Sequence, residues 1–123
     1  MLFRSYEYVP VGICVINNQF EILYWNNNIE DWTELRREEV LGRKLYDFYP
    51  NFMLPFYKSR LDIIFEGGPP TIFSSQLHKN VFGPYKSKDL LRVTHTTVSA
   101  IPDDNGNEFF ALFAVEDLTE QNI

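Results

Sequence analysis

The chain has 123 residues, 45% of them hydrophobic and 16% aromatic, which is enough for one domain with a hydrophobic core. Its formal charge of −6 argues against binding to nucleic acid or to an anionic membrane surface. No apolar run approaches the ~20 residues of a membrane span, and no signal peptide is visible. We therefore expect a cytoplasmic domain that does not insert into a membrane. The single cysteine, Cys14, excludes an internal disulfide.

The N-terminal half predicts a β-hairpin followed by helices. Two apolar runs, residues 13–16 and 20–25, flank an Asn-rich turn, which is typical of paired strands. Residues 29–41 predict short helices that end at Gly42, and residues 52–65 predict one longer helix. Its predicted apolar stripe consists of Met53, Phe56, Tyr57, Leu61, Ile64 and Phe65.

The C-terminal half predicts three strands, over residues 71–77, 90–101 and 109–115. The turn between the last two contains Asn105-Gly106, which tolerates positive φ, so these strands should pair antiparallel. Asp117 can cap a further helix, with Glu120 completing a capping box. This order of elements predicts a single α+β domain.

Five segments together resemble the PAS family of sensory domains. They are Val9–Ile13, Ile22–Asn26, Arg37–Arg43, Asp103–Gly106 and Asp117–Gln121. The resemblance covers residues 8–121. It implies a PAS-like fold: a five-stranded antiparallel sheet of order 2-1-5-4-3, with several short helices and one longer helix packed on one face. It also implies a flanking segment at 1–8, a PAS domain at 9–117, and the start of a linker helix to an effector at 118–123.

The resemblance implies a regulatory module without catalysis of its own. Such a module would sense a small molecule or a redox cue and relay it to its own downstream effector domain, a sensor histidine kinase or a GGDEF diguanylate cyclase. The relay would use Asp117, Thr119 and Glu120, and the module would be a homodimer. The alternative is a ligand-free dimerisation or protein-interaction module, whose outer sheet face would be apolar on strands four and five. No nucleophile–base pair, phosphate loop or metal-binding spacing favours an enzyme.

A candidate ligand-binding site also follows from the resemblance. It consists of Cys14, Ile16, Trp32, Phe52, Phe56, Phe73, Arg92, Thr94, Thr96 and Val98. Because an Arg and two Thr facing the helices would be costly to bury without partners, one hypothesis is a polar or anionic ligand bound by Arg92. The other is that Arg92 forms a salt bridge at the rim and the threonines reflect β-propensity. The aromatic residues could wall a cavity, but in a domain this small such residues more often form a plain core.

The cofactor is left unassigned, with a small polar metabolite as one candidate. Photoactive flavin is disfavoured because the segment 42–48 lacks the cysteine that such PAS domains use, although a non-covalent flavin is not excluded. Haem is disfavoured because haem-binding PAS domains generally take an axial histidine from the long helix, and residues 52–65 contain none. His78 and His95 lie in predicted strands, where we interpret them as hydrogen-bonded to a neighbour or to water. We interpret Cys14 as a small buried hydrophobe rather than a redox group.

Overall fold

The computed structural model of the chain describes residues 11–74 and 94–117. Its strands are β1 (Gly12–Ile16), β2 (Ile22–Trp25), β3 (Thr71–Ser74), β4 (Thr94–Pro102) and β5 (Phe109–Asp117). Its helices are α1 (Asn27–Thr33), α2 (Arg37–Val40), α3 (Leu45–Phe48) and α4 (Pro55–Phe65), with a 3₁₀ turn at Pro50–Met53. The strands form one antiparallel sheet of order β2-β1-β5-β4-β3, which confirms the predicted topology.

The sheet has a helix-facing side and an outer side, which alternate along each strand because the strand period is two. In the middle of the helix-facing side, Cys14 of β1 lies opposite Phe113 of β5, which lies opposite Val98 of β4. All three are fully buried in the hydrophobic core. The core therefore lies between this side of the sheet and the helices, as the resemblance implies.

The second strand of the hairpin begins two residues later than predicted. We predicted that Phe20 begins the second strand, but the strand begins at Ile22. Phe20 instead adopts a left-handed backbone with φ of 65°, and its amide donates to the Asn17 carbonyl at 2.9 Å. Its buried ring lies 5.7 Å from the rings of both Tyr46 and Phe65. Ring packing offsets the cost of this conformation for a bulky residue.

Asn26 joins the start of α1 to the start of β1. Its side chain is completely buried, and Oδ1 accepts from the amides of Ile29 (3.1 Å) and Ile13 (3.0 Å). Its Nδ2 donates to the Val11 carbonyl at 2.9 Å. The residue thus acts both as the helix N-cap and as a hydrogen-bonded link to the neighbouring strand. The cap is a local feature of the chain, whereas the link to β1 depends on the tertiary structure.

A close approach follows immediately after this link. A Cβ built on Gly12 would lie 3.1 Å from the indole of Trp32 and 3.3 Å from the Cβ of Ile29. Gly12 therefore lets α1 pack directly on β1, which a larger residue would prevent without movement of Trp32.

The predicted C-terminal ends of the helices, at Gly42 and at Phe65, are confirmed, but the longest helix begins at Pro55 rather than at residue 52, and part of its predicted stripe is wrong. Gly42 follows α2 with φ of 81°, and Pro55 occupies the first turn of α4. Tyr57, Leu61 and Ile64 are buried as predicted. Met53 lies in the preceding 3₁₀ turn, and both Met53 (41% exposed) and Phe56 (38%) lie at the surface.

Among the last three strands, β5 extends to Asp117, two residues beyond the predicted end. The predicted tight turn before it is confirmed: the Gly106 amide donates to the Asp103 carbonyl, and Gly106 has φ of 72°. The parts of the predicted third and fourth strands within residues 75–93 lie outside the described residues.

Candidate ligand-binding site

Six of the predicted ligand-site residues lie together on or against the helix-facing side of the sheet. They are Cys14, Ile16, Phe52, Phe73, Thr96 and Val98, each no more than 2% exposed. Two of them, Thr96 and Val98, lie on β4. They alternate with His95 and Thr97, which are half-buried on the other side of the strand. The predicted assignment of the two faces of β4 is therefore correct where the structure describes it.

Aromatic rings fill the described core next to these residues. Phe52 makes edge contacts with Tyr57 and Phe113, at centroid separations of 5.8 and 5.5 Å. Phe73 lies 5.2 Å from Tyr57. These separations are those of packed aromatic pairs. For Phe52 and Phe73 the structure thus favours the core interpretation over a pre-formed cavity wall.

Thr96 is the exception within this apolar surface. It is 1% exposed, yet its Oγ1 has no hydrogen-bond partner among the described residues. A hydroxyl buried without a partner costs roughly 1–3 kcal/mol. Its neighbours across the sheet are Phe73 on β3 and Val115 on β5, which offer no side-chain donor or acceptor. The hydroxyl can therefore donate to or accept from a bound molecule.

Cys14 lies on the same side of the sheet, and its thiol is unreactive. Complete burial raises the pKa of its thiol far above the ordinary value, because a thiolate would lose its hydration. A neutral thiol is a poor nucleophile and a poor metal ligand. This agrees with our interpretation of Cys14 as a buried hydrophobe.

Two predicted aromatic residues stand apart from the buried group. Trp32 is only partly buried and packs over Gly12, at the beginning of β1. Phe56 is 38% exposed at the start of α4, where it touches the buried rings of Tyr57 and Phe73. Phe56 thus lies at the edge of the candidate site rather than inside it.

The remaining predicted site residues cannot be compared in the same way. Arg92, Thr119 and Glu120 lie outside the described residues, as does His78. For Thr94 and Asp117 the structure describes the backbone, in which these two residues are directly opposite each other at the end of the β4–β5 pair.

His95 lies on the outer side of the sheet, opposite Glu116 of β5. Its Nε2 is buried and has no hydrogen-bond partner among the described residues. No neighbour among the described residues therefore pairs with this nitrogen, and the predicted alternative, a hydrogen bond to water, stays a prediction. The position also separates His95 from the helix-facing residues.

Sequence reasoning missed a polar cleft at the end of α1. It has a volume of about 320 Å³ and is lined by Glu30, Asp31, Glu34, Arg36 and Glu39. Four carboxylates against one guanidinium give it a negative character. Within 11–74 and 94–117, however, no three His, Cys, Asp or Glu side chains are grouped so as to hold a metal ion. In the same ranges, no helix has the length and apolar content needed to cross a bilayer.

The family model described as "PAS domain" matches residues 10–120. Because this range is most of the chain, the chain belongs to the PAS family. PAS domains are regulatory sensor modules, so the described core with its buried Thr96 is the core of a sensory domain. No curated protein matches the chain.

Several solved structures with the same fold come from sensor histidine kinases. A sensory box sensor histidine kinase from Vibrio cholerae is 15% identical, with a TM-score of 0.68 over 93% of this chain and 85% of that chain. The PAS domain of histidine kinase ThkA is 19% identical, with a TM-score of 0.63 over 89% and 100%.

A third similar structure is the photoactive yellow protein domain of the sensor histidine kinase Ppr from Rhodospirillum centenum. It is 18% identical, with a TM-score of 0.64 over 94% of this chain and 93% of that chain. At such identities these three structures show a shared fold.

Proposed function

We propose that this PAS domain binds a small molecule between its helices and the helix-facing side of the sheet. The observation that carries the proposal is the Thr96 hydroxyl, which is buried among apolar neighbours and has no hydrogen-bond partner in the part of the chain that the structure describes. Folded proteins rarely leave such a group unpaired unless a ligand or an ordered water satisfies it. Arg92 and Thr94 precede Thr96 at alternate positions of the chain and would extend the polar part of the site.

Binding would be relayed to an effector domain through the end of β5 and residues Asp117, Thr119 and Glu120. The end of β5 is well placed, because β5 is the central strand and pairs with both β1 and β4. A ligand contacting Thr96 would act on β4, which is paired to β5 along nine residues. We further propose that the effector is a histidine kinase, as in the similar structures, with a diguanylate cyclase as the alternative, and that the module works in the cytoplasm as a homodimer.

Mass spectrometry of the purified domain, first native and then denatured, tests ligand binding. We expect a small molecule to be released from the wild-type protein on denaturation. Thr96→Val should lower its occupancy at least several-fold, since valine keeps the shape of threonine but not its hydroxyl. Thr97→Val, the neighbouring residue on the outer side, is the matched control and should leave occupancy unchanged. Equal occupancy in both variants would contradict the assignment to Thr96.

Two further substitutions extend this test. Arg92→Ala should abolish binding if the guanidinium contacts the ligand, and unchanged affinity would remove Arg92 from the site.

In the full-length parent protein, Asp117→Ala should uncouple output from the stimulus. An unchanged response would contradict the relay.

A second candidate is supported by the outer side of the sheet. There β5 presents Phe110, Leu112 and Ala114, all half-buried, and the edge strand β3 presents Ile72, which is 54% exposed. Such an apolar surface is typical of a dimer interface, and the packed rings of the core are those expected of a module without a ligand. Light scattering would test it: Ile72→Lys should convert dimers to monomers. An unchanged mass would contradict an interface at β3.

A further inference from the structure

Three aromatic rings connect the surface to the buried Thr96. Phe56 is the outermost ring, 38% exposed, and its centroid lies 6.0 Å from that of Phe73 and 5.1 Å from that of Tyr57. Phe73 is buried on β3, directly opposite Thr96 on β4. Side chains directly opposite on one side of a sheet are in contact. These packed rings fill the seam between α4 and β3, so a movement of Phe56 would open a short route there from solvent to the Thr96 hydroxyl.

Arg60 lies over the outer face of this route. Its Cζ is 3.9 Å from the centroid of the Phe56 ring, and its Nη1 donates to the Phe56 carbonyl at 2.7 Å. Most other cations of the described residues have a carboxylate partner, as Lys58 has Asp62 at 3.2 Å. Among the described residues, Arg60 has none. In that part of the chain, its guanidinium contacts a ring face and a carbonyl that already belongs to the helix.

These contacts are weaker than the interaction that a guanidinium makes with a carboxylate. A cation over an aromatic ring near the surface is a modest attraction, whereas a charge-assisted, two-pronged hydrogen bond is among the strongest polar contacts in proteins. A carboxylate arriving at the seam would therefore draw Arg60 away from Phe56. Movement of Phe56 would then open the route that leads to Thr96.

We propose that the α4–β3 seam is the port of the binding site and that Arg60 selects ligands carrying a carboxylate. The body of the ligand would be small and apolar, to pass the rings of Phe56, Tyr57 and Phe73. This inference rests on the proposed function, because it assumes that the Thr96 hydroxyl faces the ligand. It assigns Arg60 the selection of charge and Phe56 the control of access.

Calorimetric titration with benzoate and its neutral isostere benzamide tests the selection. We expect the wild-type domain, refolded to remove any bound molecule, to bind benzoate at least ten-fold more tightly than benzamide. Arg60→Gln should remove that preference. Lys58→Gln, which removes a paired charge from the same helix, is the matched control and should keep it. Failure of benzoate to bind the wild type, or a preference that survives Arg60→Gln, would overturn the proposal.

The role of Phe56 is measured separately by stopped-flow mixing with benzoate. Phe56→Ala should raise the association rate several-fold, and Ser59→Ala, at an exposed position on the same helix, should leave it unchanged. An unaltered rate in Phe56→Ala would contradict the port.

These outcomes are distinct from failure of the proposed function. A molecule that is released by denaturation, and whose occupancy depends on Thr96, would establish a ligand site even where Arg60 and Phe56 have no role.

Discussion

The two sides of the sheet differ most clearly at Thr96 and Thr97, adjacent residues of the same type in one strand. Thr96 faces the helices and is fully buried, and its hydroxyl has no partner within residues 11–74 and 94–117, whereas Thr97 is half-buried on the outer side. Burial without a hydrogen bond is unfavourable, and only on the helix-facing side does this threonine pair incur that cost. The helix-facing side of β4 thus carries an unpaired polar atom in an otherwise apolar, packed surface, and the outer side of the same strand is the reference against which the effect of burial is measured.

The aromatic residues of β5 provide the largest test of this difference. Phe113 is fully buried against Phe52, and Phe110 is half-buried on the outer side. Phe113→Ala should lower the free energy of unfolding by about 3–5 kcal/mol, because it leaves a cavity in a packed core. Phe110→Ala should cost only about 1 kcal/mol. Urea unfolding measures both, and equal losses would mean that the two sides are equally packed.

Breaking the link that Asn26 makes between α1 and β1 should cause the next largest loss of stability. Asn26→Ala should destabilise the fold by roughly 2–3 kcal/mol, because it leaves the buried amides of Ile13 and Ile29 without an acceptor. Asn26→Asp keeps the acceptor but loses the donor to Val11, so it should have a smaller effect. Asn18→Ala, at an exposed turn position, is the control for the same chemical change. A loss at position 26 no larger than at position 18 would contradict the link.

The titration of Cys14 reports on the helix-facing side alone. Burial raises the pKa of its thiol in the folded state, so above about pH 9 only the unfolded chain loses this proton. Stability should therefore fall as pH rises through the unfolded value, by at most about 1.4 kcal/mol per pH unit. Cys14→Ala should lack this pH-dependent loss of stability. So should Cys14→Ala/Ser99→Cys, which moves the thiol to the outer side of the sheet. Parallel pH profiles for all three proteins would contradict the burial of Cys14.

Much of this fold could be predicted from local sequence patterns. The resemblance supplied the strand order and the side of β4 that faces the helices. Alternation along β4 grouped Thr96 with Val98, and Asn105-Gly106 predicted the tight turn. These predictions succeed because strand periodicity and turn residues are local properties.

The predictions that failed concern features that depend on tertiary contacts. Nothing local indicates that Phe20 takes a left-handed backbone, since its ring is accommodated by Tyr46 and Phe65. Phe56 was predicted on the buried stripe of α4 because helical spacing alone does not say where that stripe ends. Likewise, the sequence predicted polar residues near a ligand, but not that the Thr96 hydroxyl lacks a partner.

The central claim, that Thr96 meets a ligand, is tested most directly by the stability of Thr96→Val in two preparations. In protein as purified, the substitution should lower the free energy of unfolding relative to wild type, because a ligand that stabilises the folded state is lost. In protein unfolded, desalted and refolded, it should raise stability by roughly 1 kcal/mol, because an unpaired hydroxyl is removed. A variant that is equally more stable in both preparations would contradict a ligand at Thr96.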